Sequence, residues 1–494
     1  MFQRRELITA MSTLLLLAGC SGETEQPAAS AAAPAPATPA AADAKLDDAV
    51  AAHGLDGMTS ISLQGDAWRV RNSFRQTRTA NPPWPERDEI TNYVRTIDLN
   101  AVASRATGDT FASDLFLNPP VAGTYTQNVT PEMSAWGQQL EYWLTPWGFL
   151  KGAEANNATE MQATVDGQQM TAISWQPPAP VSPGGIQYTV TGYVGADNLV
   201  ARVETRVEDA FMGDMLVTNV YSDYTDMGGV QVPATIEQIR GGGGVFGVNV
   251  TGATLNPPNA AELLTVPPPA APPGPPPGGA APAAPAEVSQ ELAPGVHLIT
   301  GSYQSLVMDF GDYVVVFEAG QPEATGEKIL AETKRLFPDK EIRYVINSHP
   351  HADHTGGLVP FVREGVTIIT HDNNVDFLNM ALSTPRTLLG QETLMPKFEN
   401  ISEWPHVIEN GDMRLELHSV PNLHTDGMLV AVIPDLLMFQ ADFTLPQPGA
   451  MANPFVIDLA NYVDQNNIQF DQYIAVHANS AGQTRETLMA TIGK

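Results

Sequence analysis

The stretch VPPPAAPPGPPPGGAAPAAPAE at 266–287 offers almost nothing from which to build a core. It can only be an extended, rather stiff spacer. A second stretch, ETEQPAASAAAPAPATPAAADAK at 23–45, is equally Ala/Pro-rich and predicts a tether that does not pack. Together they cut the 494-residue chain into two folded segments, 46–265 and 288–494. Two domains are also what that length leads one to expect. With 43% hydrophobic and 16% charged residues and a mean hydropathy of −0.12, the composition is that of a soluble globular protein. The formal net charge is −30, from 25 basic against 55 acidic residues. That surplus argues against nucleic acid as a partner, because a phosphate backbone needs a basic footprint. The acidity otherwise reads as a source of solubility.

The first residues, MFQRRELITAMSTLLLLAGC, combine Arg4 and Arg5 with the apolar run Leu14–Leu17 and then Leu17-Ala18-Gly19-Cys20. The run is short for a membrane span. The pattern resembles a bacterial lipoprotein signal with its lipobox. That resemblance implies removal of 1–19, lipid on Cys20, a tether over 20–45, and attachment to a membrane through the lipid. Ser21 after Cys20 implies the outer membrane, with the folded part facing the periplasm. Cys20 is the only cysteine, so the chain has no disulfide and no thiolate to offer a metal.

Segment 46–265 reads as β-rich. IQYTVTGYV (186–194), LVARVETRV (199–207) and MLVTNVYSDY (215–224) are β-branched and aromatic runs separated by turn clusters at 195–198 and 227–229. Six of the seven tryptophans lie here, and their expected place is the core. The run YSDYTDMGGVQVPATIEQI resembles strands of the curved half-barrel domains of lipoprotein-carrier proteins. No catalytic constellation is visible in this segment, and its one histidine is His53. The expected role is binding, docking or spacing, and no protein partner is legible.

Segment 288–494 holds the other nine histidines. Strand patterns at YQSLVMDF, YVVVFEAG, IRYVINS and VTIITH alternate with helical patterns at PEATGEKILAETKRLFP and TGGLVPFVREG, which makes an α/β domain. SHPHADHTGG (348–357) follows one of those strands. His349 and His351 can aim both imidazoles at one cation about 2 Å away. Asp353 and His354, in the turn that follows, can face a second. Imidazoles and carboxylates without thiolate suit zinc, and less exclusively iron or manganese. Two metals roughly 3.5–4 Å apart need further ligands, one of them bridging. Downstream, His424 sits in a loop between two strand patterns, Asp442 ends LLMFQADF, and His477 ends FDQYIAVHANS.

This series, His349-x-His351-x-Asp353-His354 with His424, Asp442 and His477, resembles the ligand set of the metallo-β-lactamase superfamily. LAPGVHLITG, STPRTL and NPFVIDLANYV add likeness to its exported bacterial members. The resemblance implies an αββα sandwich with two zinc ions. His349, His351 and His424 would hold the first, Asp353, His354 and His477 the second, and Asp442 would bridge. It implies a hydrolase in which a water shared by the metals, its pKa lowered toward roughly 7, attacks an ester, lactone, amide or phosphoester of a small-molecule substrate. Asp353 would orient that nucleophile by accepting its proton. Glu318 stands where many members have Asp, and VHANS replaces the usual Gly-His-Gly, which bears on the groups around the ligands.

Other histidines receive structural readings. His418 is the rival of His424, which is preferred for its loop position; His297 is expected to be packed and His406 to lie at the surface. His371 and Arg386 are candidate substrate contacts, set against structural roles for both. Two other functions remain in view: a mononuclear-iron sulfur oxidoreductase of the same superfamily, and a non-catalytic envelope binding lipoprotein.

Overall fold

A computed structural model describes residues 43–71, 73–112, 121–267, 288–401, 403–447, 449–477 and 482–494. The signal segment 1–19, Cys20, most of the tether and nearly all of the Pro-rich linker lie outside the described residues. Among those described, no helix is long and apolar enough to cross a membrane.

The β-rich segment is one antiparallel sheet of eleven strands, opened by a helix at Asp43–Ala52. Consecutive strands are neighbours in two runs, and the runs join where the first strand, Ser60–Val70, pairs with the last, Gly243–Leu255. The edges are Val121–Val129 and Thr159–Val165. Between them in sequence come two short helices, Trp136–Trp143 and Pro146–Ala155. The first of these touches both Ala103–Ala112 and Val200–Asp209. In a flat sheet those two strands would lie about 29 Å apart, at about 4.8 Å per strand, whereas an eight-residue helix is only about 12 Å long. The sheet therefore curls around the helical pair, as a half-barrel does. Trp136, Trp147 and Trp175 fill the space between, so these tryptophans are core.

The second segment has two sheets. One has seven strands, from Val288–Ala293 to Lys397–Ile401, and its last four run parallel. The other has five, from His406–Asn410 to Gln472–Ala475. Strand alternation decides the layering. In Tyr313–Phe317, Val314 and Val316 join Val345 and Ile368 beneath the helices Glu323–Leu336, Leu358–Arg363 and Asp372–Ser383. Val315 and Phe317, pointing the other way, pack with Leu415, Leu417 and Phe439 of the second sheet, Phe317 meeting Phe439 at 5.5 Å between ring centres. The helix Pro454–Gln465 covers that sheet through Phe455, Val456, Leu459 and Val463. The order is helix, sheet, sheet, helix, the αββα sandwich expected from the sequence.

The described residues form a single compact unit, so the half-barrel and the sandwich share an interface. Phe211 of the half-barrel meets Phe377 of the sandwich at 6.4 Å between ring centres. Beside that contact the segment 384–391 docks against the half-barrel. Asp214 accepts hydrogen bonds from the Thr387 and Leu388 amides at 3.0 and 2.9 Å. Gly213, at φ +64°, leaves room for this docking, because a Cβ there would stand 2.4 Å from the Pro385 carbonyl.

Candidate metal centre

The strand Glu341–Ile346 runs parallel to its neighbours, becomes buried at Val345 and Ile346, and the chain turns sharply where it leaves the sheet. Asn347, fully buried, holds that turn: its amide donates to the carbonyls of His349 (2.8 Å) and His354 (3.1 Å). The short helix Ala352–Thr355 follows, so four polar residues leave one strand end in different directions. The His424 loop is pinned by Asn422, whose side-chain oxygen accepts from the His424 and Thr425 amides at 2.7 and 3.1 Å. Asp442 and His477 each lie two residues beyond the ends of adjacent parallel strands, Leu437–Gln440 and Gln472–Ala475. Parallel pairing delivers both side chains to the same edge. The centre thus lies beyond the carboxyl ends of strands from both sheets, the usual place for a site in an α/β fold.

Two groups of donors result. The ligand atoms of His349, His351, His424 and Asp442 all lie within 4.8 Å of one another, and so do those of Asp353, His354 and His477. Asp442 joins the two. Its Oδ2 is 3.0 Å from His349 Nε2 and 2.8 Å from His424 Nε2. Its Oδ1 is 2.8 Å from His477 Nε2 and 3.4 Å from His354 Nε2. Asp353 Oδ2 lies 3.3 and 3.4 Å from the Nε2 atoms of His354 and His477. Donors on a tetrahedral cation with bonds of about 2.0–2.1 Å are separated by about 3.3 Å, so these spacings fit two such cations.

Electrostatics separates the groups. Burial, reinforced by neighbouring imidazoles, holds His349 well below its ordinary pKa and lowers His351 to about 3. Both are neutral, the form in which imidazole ligates. Burial would also lower His354 and His477, but carboxylates overcome it. Asp442, Glu318 and Asp353 raise His354 well above its usual value, and Asp353 with Asp442 raises His477 to about 9. Burial likewise opposes the charge on Asp442, and His354 and His349 nonetheless hold its pKa well below the carboxylate range. His349 and His354 are fully buried, whereas the His477 side chain is 30% exposed. The second group is therefore the open side.

Glu318 is the partner that the sequence marked only as a departure from pattern. It is fully buried, in the left-handed region at φ +74°, and stands at the end of Tyr313–Phe317. One oxygen accepts from the Ser348 amide at 2.9 Å, and the other pairs with His354 Nδ1. Such a conformation is strained for a residue with a side chain, and it is held here because both oxygens are engaged inside the site. Tyr303, which nothing in the sequence singled out, sets its ring edge-on to His477 at 5.1 Å.

The other candidates lie elsewhere. His418 is buried against Tyr462 and belongs to neither donor group. His297 packs edge-on against Phe337. His371 caps the helix Asp372–Ser383, accepting from the Asn373 amide at 3.1 Å, and stacks on Trp404. Arg386 is 0% exposed. Its guanidinium is committed to the carbonyls of Ala210 and Phe211 and to the Gln391 side chain. Arg386 is therefore an anchor between half-barrel and sandwich, not a substrate contact.

Residues 299–435 match the sequence model of the Metallo-beta-lactamase superfamily. The C-terminal segment is a metallo-β-lactamase superfamily domain. The match stops before Asp442 and His477, which the structure brings to the same centre. Similar solved structures include a metallo-beta-lactamase from Pontibacter korlensis, with 16% identity over 42% of this chain and 97% of that one and a TM-score of 0.34. A metallo-beta-lactamase from Cronobacter sakazakii shares 19% identity over 41% of this chain and 89% of that one, at a TM-score of 0.31. A sec-alkylsulfatase from Pseudomonas sp. shares 16% identity over 42% of this chain and 41% of that one, also at 0.31. Overlaps this small carry no weight on activity or substrate. No curated protein gave a significant match.

Proposed function

We propose that the protein is a dizinc hydrolase acting on an ester, lactone, amide or phosphoester bond of a small molecule. The observation that carries this reading is Asp442, whose two oxygens face two separate donor groups. His349, His351 and His424 would hold one zinc, and Asp353, His354 and His477 the other. Bound zinc would supply Lewis acidity, polarising the substrate oxygen and making a water acidic enough to attack at neutral pH.

The chain's own residues do the rest. Glu318 holds His354 through Nδ1, which leaves Nε2 turned toward Asp353 and Asp442. Asp353, with a side chain 22% exposed, is the carboxylate open to solvent on the accessible side and the acceptor for the proton of the attacking water. Ser348 Oγ lies 2.9 Å from His349 Nδ1 and fixes that ring.

The N-terminal pattern adds a setting: lipidation at Cys20, anchorage in the outer membrane and a site facing the periplasm. The test is a panel of esters, lactones, β-lactams, thioesters and phosphodiesters assayed with zinc-loaded, chelated and re-loaded protein. Hydrolysis that disappears with the metal and returns with zinc is expected. One iron per chain with no hydrolysis would refute the reading in favour of a sulfur oxidoreductase.

A further inference from the structure

The half-barrel reaches into the metal centre. The loop joining its first two strands, Ser60–Val70 and Arg87–Asp98, leaves the half-barrel and crosses the HxHxDH turn. The Thr77 carbonyl is 3.0 Å from His351 Nε2, and the Gln76 side-chain amide donates to Asp353 Oδ1 at 2.8 Å. The loop is fastened on both sides of those contacts. Before them, the Arg75 carbonyl accepts from the Ala352 amide at 3.0 Å. After them, the Arg78 carbonyl accepts from the Asp426 amide at 2.9 Å, beside His424. The anchor at Arg386 and Asp214 holds the same half-barrel from a second point, so the loop rests on a fixed base.

Each contact decides which atom of a ligand is left free. A carbonyl can only accept, so His351 Nε2 carries the hydrogen facing Thr77, and Nδ1 keeps the lone pair that can ligate. Gln76 occupies Asp353 Oδ1, leaving Oδ2 turned toward His354 and His477. We propose that this loop is a wall of the metal centre and that Gln76 is the positioning residue for the second metal, acting through Asp353. The half-barrel is then a working part of the site, not a spacer. The inference rests on the two-metal reading given above.

The test uses the full chain and two substitutions, Gln76→Ala and Gln76→Leu, the second keeping most of the side-chain volume. Metal-free protein is titrated with zinc against a chromophoric chelator, and the unfolding midpoint of the metal-free form is measured alongside. The wild type is expected to bind two zinc ions. In both variants one site should weaken about tenfold or more, as loss of a partner behind a ligand does, while the other stays within about twofold. The metal-free midpoint should not move, which separates positioning from general support of the fold. Unchanged affinity at both sites overturns the role of Gln76 and leaves the hydrolase reading standing. Equal weakening at both sites with a lowered midpoint also overturns it. A wild type that takes up no zinc overturns the hydrolase reading and this inference with it.

Discussion

Replacing Arg386 separates an anchor from a substrate contact. Arg386→Met keeps the volume and removes the donors. The Phe211 carbonyl loses a bond of 3.0 Å, the Gln391 oxygen one of 3.0 Å, and the Ala210 carbonyl its partner as well. The bond to Phe211 is buried and the other two are part-buried, so one acceptor left without a donor costs about 1–3 kcal/mol, the other two cost less because water reaches them, and the total expected is about 2–4 kcal/mol. With a urea dependence of about 3 kcal/mol per molar, the midpoint should fall by roughly 1 M. Tryptophan fluorescence is a suitable readout, because six of the seven tryptophans lie in the half-barrel that the anchor holds. Gly213→Ala should move the midpoint in the same direction, since its Cβ would press on the Pro385 carbonyl. An unchanged midpoint for Arg386→Met, with a raised KM for the substrate found in the panel, would refute the anchor argument.

Other perturbations bear on the centre and on the half-barrel. Asp442→Ala removes the bridge, and hydrolysis and one equivalent of bound zinc should be lost together; unaltered turnover would rule out the shared-carboxylate arrangement. Glu318→Gln keeps shape but sets an amide against the Nδ1 side of His354, so affinity for one zinc should drop about 10–100-fold by chelator competition. His53 is buried at the end of the first helix, and burial lowers its pKa from 6.5 to about 4. The unfolded chain then binds the proton more readily, so stability is complete above pH 6.5 and falls as pH drops toward 4. The loss by pH 4.5 is about 2–3 kcal/mol at 1.36 kcal/mol per pKa unit. Urea unfolding of wild type and His53→Gln at pH 7 and 4.5 should show a loss larger by about that amount in the wild type than in the variant.

The ligand series was legible because metal chemistry restricts residue type and because the fold sets those residues at strand ends, where hydrophobic runs stop. His418 could be told from His424 by the same logic: mid-strand residues face a core or a sheet surface, and loop residues face a site. What stayed hidden used unremarkable chemistry from far away. Thr77 contributes a carbonyl, which any residue carries, and it meets a histidine 274 positions later. Gln76 is a neutral amide in a loop with no periodic pattern. Arg386 looked like a polar residue on a pocket wall because the acceptors that bury it are backbone atoms of another domain. The strands of the half-barrel followed from β-branched runs, but the pairing of its first and last strands is a long-range fact that no local pattern carries.

That pairing orders events in time. Ile61 pairs with Leu255, about 190 residues further on. At roughly 5–20 residues per second, the first strand waits on the order of 10–40 s of synthesis for its neighbour. The loop carrying Gln76 is made at the start of that interval, while Asp442 and His477 are made near the end of the chain. The cover of the centre is therefore made before any of the donors, and Asp442 and His477 are the last of them. A nascent chain holds a wall with nothing behind it, and both donor groups can be presented at once only after His477 has been made.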